Sequence, residues 1–235
     1  MTRHIFITGT NRGIGLAVVT DYLEQDDVII FAACRNPDDA EMLQNLKDAH
    51  PEKLHLIALE VTDAASIDAA VKSVKSHTNK LDVLLNNAGI NPPEQAFPQI
   101  AADTFMKVLE VNTVAPLMVT KAFYGLLNEA DQGIAVHTSS SMASLTMRTY
   151  GGDYGYCASK AALNMVMRGM AADFAKYGDV ITIALDPGWV QTDMGGQGAT
   201  LTPQTSAAGI VQVIDNLKKS DNGRYLVWDG TEHPW

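Results

Sequence analysis

Cysteine is scarce: the 235 residues contain two, Cys34 and Cys157, far apart and outside any CxxC or His/Cys cluster. Such spacing signals neither a disulfide framework nor a zinc site, and two reduced thiols in a cytoplasmic protein are expected. Positive charge is also limited, with 17 Lys and Arg against 27 Asp and Glu and a formal net charge of −10. Nucleic acids and anionic membranes are held by clustered Lys and Arg that displace counterions, so neither is expected as a main partner. Long hydrophobic runs are missing. The longest, Val28 to Cys34, is far short of the roughly 20 residues that span a bilayer and reads as a buried strand. Between His4 and Thr8 lie only three apolar residues, too few for the centre of a signal peptide. The six histidines form no ligand pattern, and no metal is expected.

The chain does have enough length and apolar content, 46% hydrophobic, for a sizeable core. A chain of this size buries roughly 70% of its unfolded surface. A single domain over residues 1–235 is expected, with no linker or repeat dividing it. Short β-rich runs alternate with helical patterns: strands over 4–8, 28–33, 54–59, 81–85, 134–138, 180–186 and 225–228, and helices over 13–24, 38–49, 64–77 and 154–177. Two more helices follow the Pro-rich stretch from Asn91 to Pro98, and Thr202 and Pro203 read as the N-cap and first position of the last helix. Continuously apolar strands alternating with helices indicate a parallel sheet covered on both faces. The expected fold is α/β, a Rossmann-type doubly wound seven-stranded parallel sheet with helices on both faces.

Between the first strand and first helix stands Thr8-Gly9-Thr10-Asn11-Arg12-Gly13-Ile14-Gly15. Gly9 suits a tight turn, Gly13 a close backbone approach to a pyrophosphate and Gly15 close packing of helix on strand, while the helix N-terminus favours negative charge. At the end of the second strand, a carboxylate would hold the ribose 2′-hydroxyl of NAD and an arginine the 2′-phosphate of NADP. The residue there is Arg35, and Arg12 in the loop offers a second guanidinium, so NADP(H) is expected in preference to NAD(H). Farther on, Tyr156 and Lys160 lie four residues apart on one face of the long helix. A neighbouring cation favours the phenolate, so Lys160 is expected to bring Tyr156 toward proton transfer at neutral pH.

Together these segments resemble the short-chain dehydrogenase/reductase family. Thr8 to Gly15 is similar to its TGxxxGxG loop, Asn86-Asn87-Ala88-Gly89 to its NNAG motif, and Thr138-Ser139-Ser140 to its serine motif. Tyr156 to Lys160 matches YxxxK, Pro187-Gly188 the PG motif, and Asn112 the family's asparagine. The resemblance implies a catalytic tetrad of Asn112, Ser140, Tyr156 and Lys160. Tyr156 would donate the proton to a carbonyl oxygen, Ser140 would hydrogen-bond that oxygen, Lys160 would hold the nicotinamide ribose, and Asn112 would hold a water relaying protons to Lys160. Ser139, Ser140 and Ser141 are consecutive, and Ser140 is chosen as the second serine after the strand. The implied cofactor contacts are Gly9, Asn11, Arg12, Gly13, Ile14, Gly15, Arg35, Asn87, Ala88 and Gly89, then Tyr156, Lys160, Pro187, Gly188, Val190 and Thr192. Where the family commonly places Asp to meet the adenine, this chain has Glu60 followed by Val61, with Asp63 as the other candidate.

The run from Pro187 to Gly196 and the segment His233-Pro234-Trp235 resemble a narrower group, carbonyl reductases of the sniffer and C-signal-factor type. That implies a small-molecule carbonyl substrate, a wall drawn from Met142, Leu145, Met147, Tyr150 and Trp189, and any lid within 194–202. The family habit of association implies a homodimer or homotetramer through residues near 113–127 and 158–177. The alternatives are an NADP-binding regulatory or signalling protein with little turnover, and an epimerase or dehydratase of the extended branch.

Overall fold

Val28–Cys34 lies at the centre of one half of a sheet in which every strand is apolar on both sides, because helices cover both faces. The computed structural model describes residues 2–93 and 97–235. Its strands are β1 (Arg3–Thr8), β2 (Val28–Cys34), β3 (Leu54–Ala58), β4 (Val83–Asn86), β5 (Ile134–Thr138), β6 (Ile181–Asp186) and β7 (Tyr225–Val227). They form one seven-stranded sheet in the order β3-β2-β1-β4-β5-β6-β7, with each adjacent pair parallel. The order reverses between β1 and β4, and ligands of such sheets bind in the crevice beyond the strand carboxyl ends at that reversal.

Alternation along each strand divides the core in two. Ile5, Ile7, Ile30 and Leu85 face α1 (Gly13–Leu23), α2 (Glu41–Ala49) and α7 (Pro203–Asp215). Phe6, Phe31 and Leu84 belong to the other layer, with α3 (Ala64–Lys75), α5 (Ala115–Asn128) and α6 (Tyr154–Tyr177). There Phe6 and Phe123 meet at a ring-centroid distance of 4.4 Å.

Beyond shifts of one or two residues at the ends of several elements, three details differ from the sequence reading. The helix expected over 38–49 is two pieces, a 3₁₀ turn over Pro37–Asp39 and α2, because Ala40 leaves the helical region at φ −92°, ψ 74°. The strand expected from Leu81 begins at Val83, since the Leu81 amide is taken by the Leu126 carbonyl. The two helices after the Pro-rich stretch are joined: α4 (Ala102–Leu109) runs through a π-turn, Glu110–Val114, into α5. Asn112 is in that turn and fully buried. Among the described residues no helix is long and apolar enough to cross a membrane, and no group of three or more His, Cys, Asp or Glu could hold a metal ion.

Candidate active site

A cavity of about 950 Å³ opens beyond the carboxyl ends of the strands. Its wall contains most of the residues that the sequence placed in the site: the glycine loop, Arg35, Glu60, Val61, Asn87, Ala88, Gly89, Ser140, Tyr156, Lys160, Pro187, Gly188, Val190 and Thr192, but not Asn112. At one end, Gly9 adopts φ 71°, and a Cβ there would sit 2.9 Å from the Ala88 Cα. A Cβ on Gly15 would sit 2.2 Å from the Gly9 carbonyl oxygen. The glycine at 15 is therefore required by the loop folding on itself, as well as by helix on strand.

Thr8 Oγ1 accepts the amides of Asn87 and Ala88 at 3.0 and 2.9 Å, and Asn87 Nδ2 donates to the Thr8 and Gly9 carbonyls at 3.0 and 3.1 Å. The first turn of α1 has no acidic residue, and its N-cap, Arg12, supplies no side-chain acceptor. This open cradle of backbone N–H groups fits the phosphates of a dinucleotide.

Arg35 is exposed at the cavity wall, free to meet a phosphate from solvent. Arg12 instead reaches across the cleft to Asp193, Nη1 to Oδ2 3.2 Å, with both side chains more than 70% exposed. A pair that open is worth about 0–1 kcal/mol, so Arg12 can be recruited by a ligand at small cost. Glu60 and Asp63 have separate duties. Burial opposes ionisation of Glu60, but the Thr62 amide and hydroxyl and the charge of Arg35 outweigh it and hold the carboxyl below its usual range. Asp63 caps α3 through the Ala65 amide and is not part of the cavity wall.

At the other end, α6 supplies Tyr156 and Lys160, and the loop after β5 supplies the serines. Ser140 and Tyr156 both stand on the cavity wall, and the Ser140 hydroxyl favours the ionised form of the phenol. Ser139 turns away and donates to Asn164 Oδ1 at 2.6 Å. Lys160 is 4% exposed, donates to the Thr138 carbonyl at 2.6 Å, and lies 5.6 Å from the centre of the Tyr156 ring.

Burial pushes the Tyr156 phenol up to about 12 against the opposing Ser140 hydroxyl, with Asp186 adding to the rise. Burial also brings Lys160 down to about 8, opposed by Asp186. Burial is the largest influence on the Tyr156 phenol, and Lys160 is not among the groups that set its shift.

Asn112 is held close behind the site. Its side chain is spent on the protein, with Oδ1 accepting the Ile90 amide at 2.8 Å and Nδ2 donating to the Ile90 carbonyl at 2.8 Å and to Ser159 Oγ at 3.0 Å. It lies behind Gly89 and outside the cavity wall. His137 packs and hydrogen-bonds as expected, Nε2 against Thr182 Oγ1 at 3.1 Å, and burial, then Lys160, brings it down to about 3. Met142 and Trp189 line the cavity; Leu145, Met147 and Tyr150 are exposed outside it, because the loop after Ser144 turns outward.

A family model described as short chain dehydrogenase matches residues 3–200. The chain belongs to the short-chain dehydrogenase family. It resembles the NADPH-bound carbonyl reductase from chicken fatty liver, at 36% identity and a TM-score of 0.93 over 100% of this chain and 99% of that one. The carbonyl reductase Sniffer of D. melanogaster is 32% identical with a TM-score of 0.95, all of both chains being covered. C-signal of Myxococcus xanthus is 41% identical over 67% of this chain and 95% of its own length. An uncharacterized oxidoreductase of Schizosaccharomyces pombe is 31% identical over 98% and 97%.

This short-chain dehydrogenase is accordingly an oxidoreductase. Supporting residues around the site that escaped the sequence reading include Thr8, Asn164 and Asp186. Thr8 was visible as the first letter of the glycine loop, but the others serve through contacts between distant segments.

Proposed function

We propose that the protein is an NADPH-dependent carbonyl reductase interconverting an aldehyde or ketone and an alcohol. The observation that carries this reading is the grouping of Ser140, Tyr156 and Lys160 at one end of a cleft whose other end is an anion cradle flanked by Arg12 and Arg35. NADPH, when bound, supplies the hydride. Tyr156, pushed up to about 12, is fully protonated at neutral pH and so is loaded as an acid for reduction. Its hydroxyl gives its proton to the carbonyl oxygen while Ser140 donates a hydrogen bond to that oxygen, aimed where negative charge develops. Lys160, anchored on the Thr138 carbonyl, stabilises the phenolate that Tyr156 becomes.

Arg35 is the residue that selects the 2′-phosphate, Glu60 and Val61 face the adenine, and Pro187, Gly188, Val190 and Thr192 hold the nicotinamide end. Met142 and Trp189 offer an apolar wall to the substrate. The reading includes a homo-oligomer through α5 and α6, where Met118 and Met165 are exposed, and a single-subunit mass in light scattering would remove that part.

The test is NADPH oxidation, with NADH alongside, against aldehydes, ketones, diketones and quinones. Tyr156→Phe is expected to lose about 10²–10⁴-fold in turnover while NADPH still binds in a fluorescence titration. Full turnover in that variant sinks the acid–base role. NADPH binding without consumption of any carbonyl favours an NADP-binding regulator instead.

A further inference from the structure

After β7 the chain reverses at Asp229-Gly230, and residues 231–235 return antiparallel along it. The Val227 amide donates to the Thr231 carbonyl at 2.8 Å and the His233 amide to the Tyr225 carbonyl at 2.9 Å. This return carries two side chains to the back of the active site. His233 Nε2 donates to Asp186 Oδ2 at 2.7 Å, and Asp186 Oδ1 accepts the Gly188 amide at 3.0 Å. Trp235 packs on the Tyr225 ring at 5.3 Å, its carbonyl takes Thr146 Oγ1 at 2.7 Å, and the Tyr225 hydroxyl donates to the Ser140 carbonyl. His233, Trp235 and Asp186 are absent from the cavity wall.

Asp186 is 4% exposed and immediately precedes the Pro187-Gly188 turn. Capping Gly188 needs an oxygen, and an asparagine would serve. A buried carboxylate is costly unless another charge or strong donors offset it.

We propose that Asp186 and His233 are a positioning pair for the site: the returning segment fixes the carboxylate, which supplies the negative charge facing the Lys160 ammonium behind Tyr156. The inference rests on the roles given to Tyr156 and Lys160 above. The charged and titratable groups around them are few. Lys160 Nζ sits on the Thr138 carbonyl at 2.6 Å, and Thr138 pairs in register with Leu185, the residue before Asp186, so the ammonium stands beside the end of β6, with His137 on β5 as its other titratable neighbour. Tyr156 faces Ser140, Asp186 and, near its own helix, Cys157 and Asp153. Tyr225 on β7 faces Asp186 and Tyr156, and Asp229 faces His233 across the hairpin. Asp186 works against the burial of Lys160, so its charge keeps the ammonium protonated.

The test uses the full chain with ¹³Cε-labelled lysine, the Lys160 resonance being assigned through Lys160→Arg, and follows its titration from a midpoint near 8. Asp186→Asn is expected to lower that midpoint by about one pH unit. His233→Ala is expected to raise it by about half a unit, because the carboxylate loses the donor that spreads its charge, and His233→Gln, which keeps an N–H donor, restores it. In parallel, turnover falls about tenfold in His233→Ala with KM for NADPH unchanged, and recovers in His233→Gln.

Should Asp186→Asn fail to fold, the two His233 variants decide the matter. A Lys160 midpoint unmoved in His233→Ala overturns the pair even if carbonyls are reduced. A midpoint that moves as stated in a protein that reduces no carbonyl keeps the pair and removes the reductase reading.

Discussion

The two ends of the cleft are held by different forces. At the glycine-loop end the charged groups, Arg12, Asp193 and Arg35, stand in solvent, and the shape comes from backbone: an amide cradle, a hydroxyl taking two amides, and a loop folded so tightly on itself that position 15 has no room for a Cβ. At the tyrosine end the charges are inside. Lys160 and Asp186 are each 4% exposed, beside a fully buried neutral His137, and long-range hydrogen bonds hold all three. Exposed charges are screened and adjust affinity, whereas buried ones raise the cost of every partner's removal. Substitutions at the first end should therefore change what is bound or break the loop outright, and those at the second should change protonation and turnover.

The sharpest break is Gly15→Ala. Its methyl group would meet the Gly9 carbonyl at 2.2 Å, and the loop cannot yield without releasing Asn87. A loss of about 3 kcal/mol in urea denaturation is expected, together with loss of NADPH binding in a fluorescence titration.

Next come the two neighbouring serines, whose effects should separate cleanly. Ser140→Ala should reduce kcat by about 10²-fold and cost only about 0.5–1 kcal/mol, the loss of its cap on the Met142 amide. Ser139→Ala should leave kcat within about threefold but cost about 1–3 kcal/mol, because the buried Asn164 loses its donor. Reversal of that pattern would exchange their roles.

A pH dependence follows from His137. Its folded value of about 3 lies below the ordinary 6.5, so the unfolded chain takes up a proton first as pH falls. The stability is fully present above 6.5 and is lost progressively toward 3. At pH 5 the loss is about 2 kcal/mol, and His137→Gln should flatten the difference in urea stability between pH 7 and pH 5 by that amount. The smallest effect belongs to an exposed group: Arg35→Asp should lower the NADPH-over-NADH preference by about tenfold at low salt, and by less at high salt. Selectivity unaltered at both salt concentrations would remove Arg35 from cofactor choice.

These ends also differ in how far they could be read from the sequence. The glycine loop is contiguous, its demands are local, and Gly9, Gly13 and Gly15 carry them in their spacing; the alternation of apolar runs likewise gave the doubly wound sheet. The tyrosine end is assembled by contacts between residues tens of positions apart. Nothing in Glu110–Val114 announces a π-turn, yet that turn directs Asn112 onto Ile90 and Ser159. Asp186 and His233 are 47 residues apart and meet only because β7 pairs with β6 and then turns back. Spacing puts Lys160 four residues from Tyr156 but carries no sign of how much water both groups lose, and burial is what moves the phenol most. Leu145, Met147 and Tyr150 look in sequence like wall residues; only the outward course of their loop excludes them.

The hydroxyl of Thr8 has a consequence for motion. By accepting the amides of Asn87 and Ala88 it ties the carboxyl end of β1 to the segment after β4, on opposite sides of the point where strand order reverses. Those two amides can exchange with deuterium only when the strand ends part, and that opening would take the Asn87 side chain from the Gly9 carbonyl as well. The floor of the cleft thus opens as a unit or not at all. Slow exchange at Ala88, and slower still at Asn87, whose amide also reaches the Leu85 carbonyl at 3.0 Å, is the mark that one oxygen atom leaves on the timing of the whole crevice.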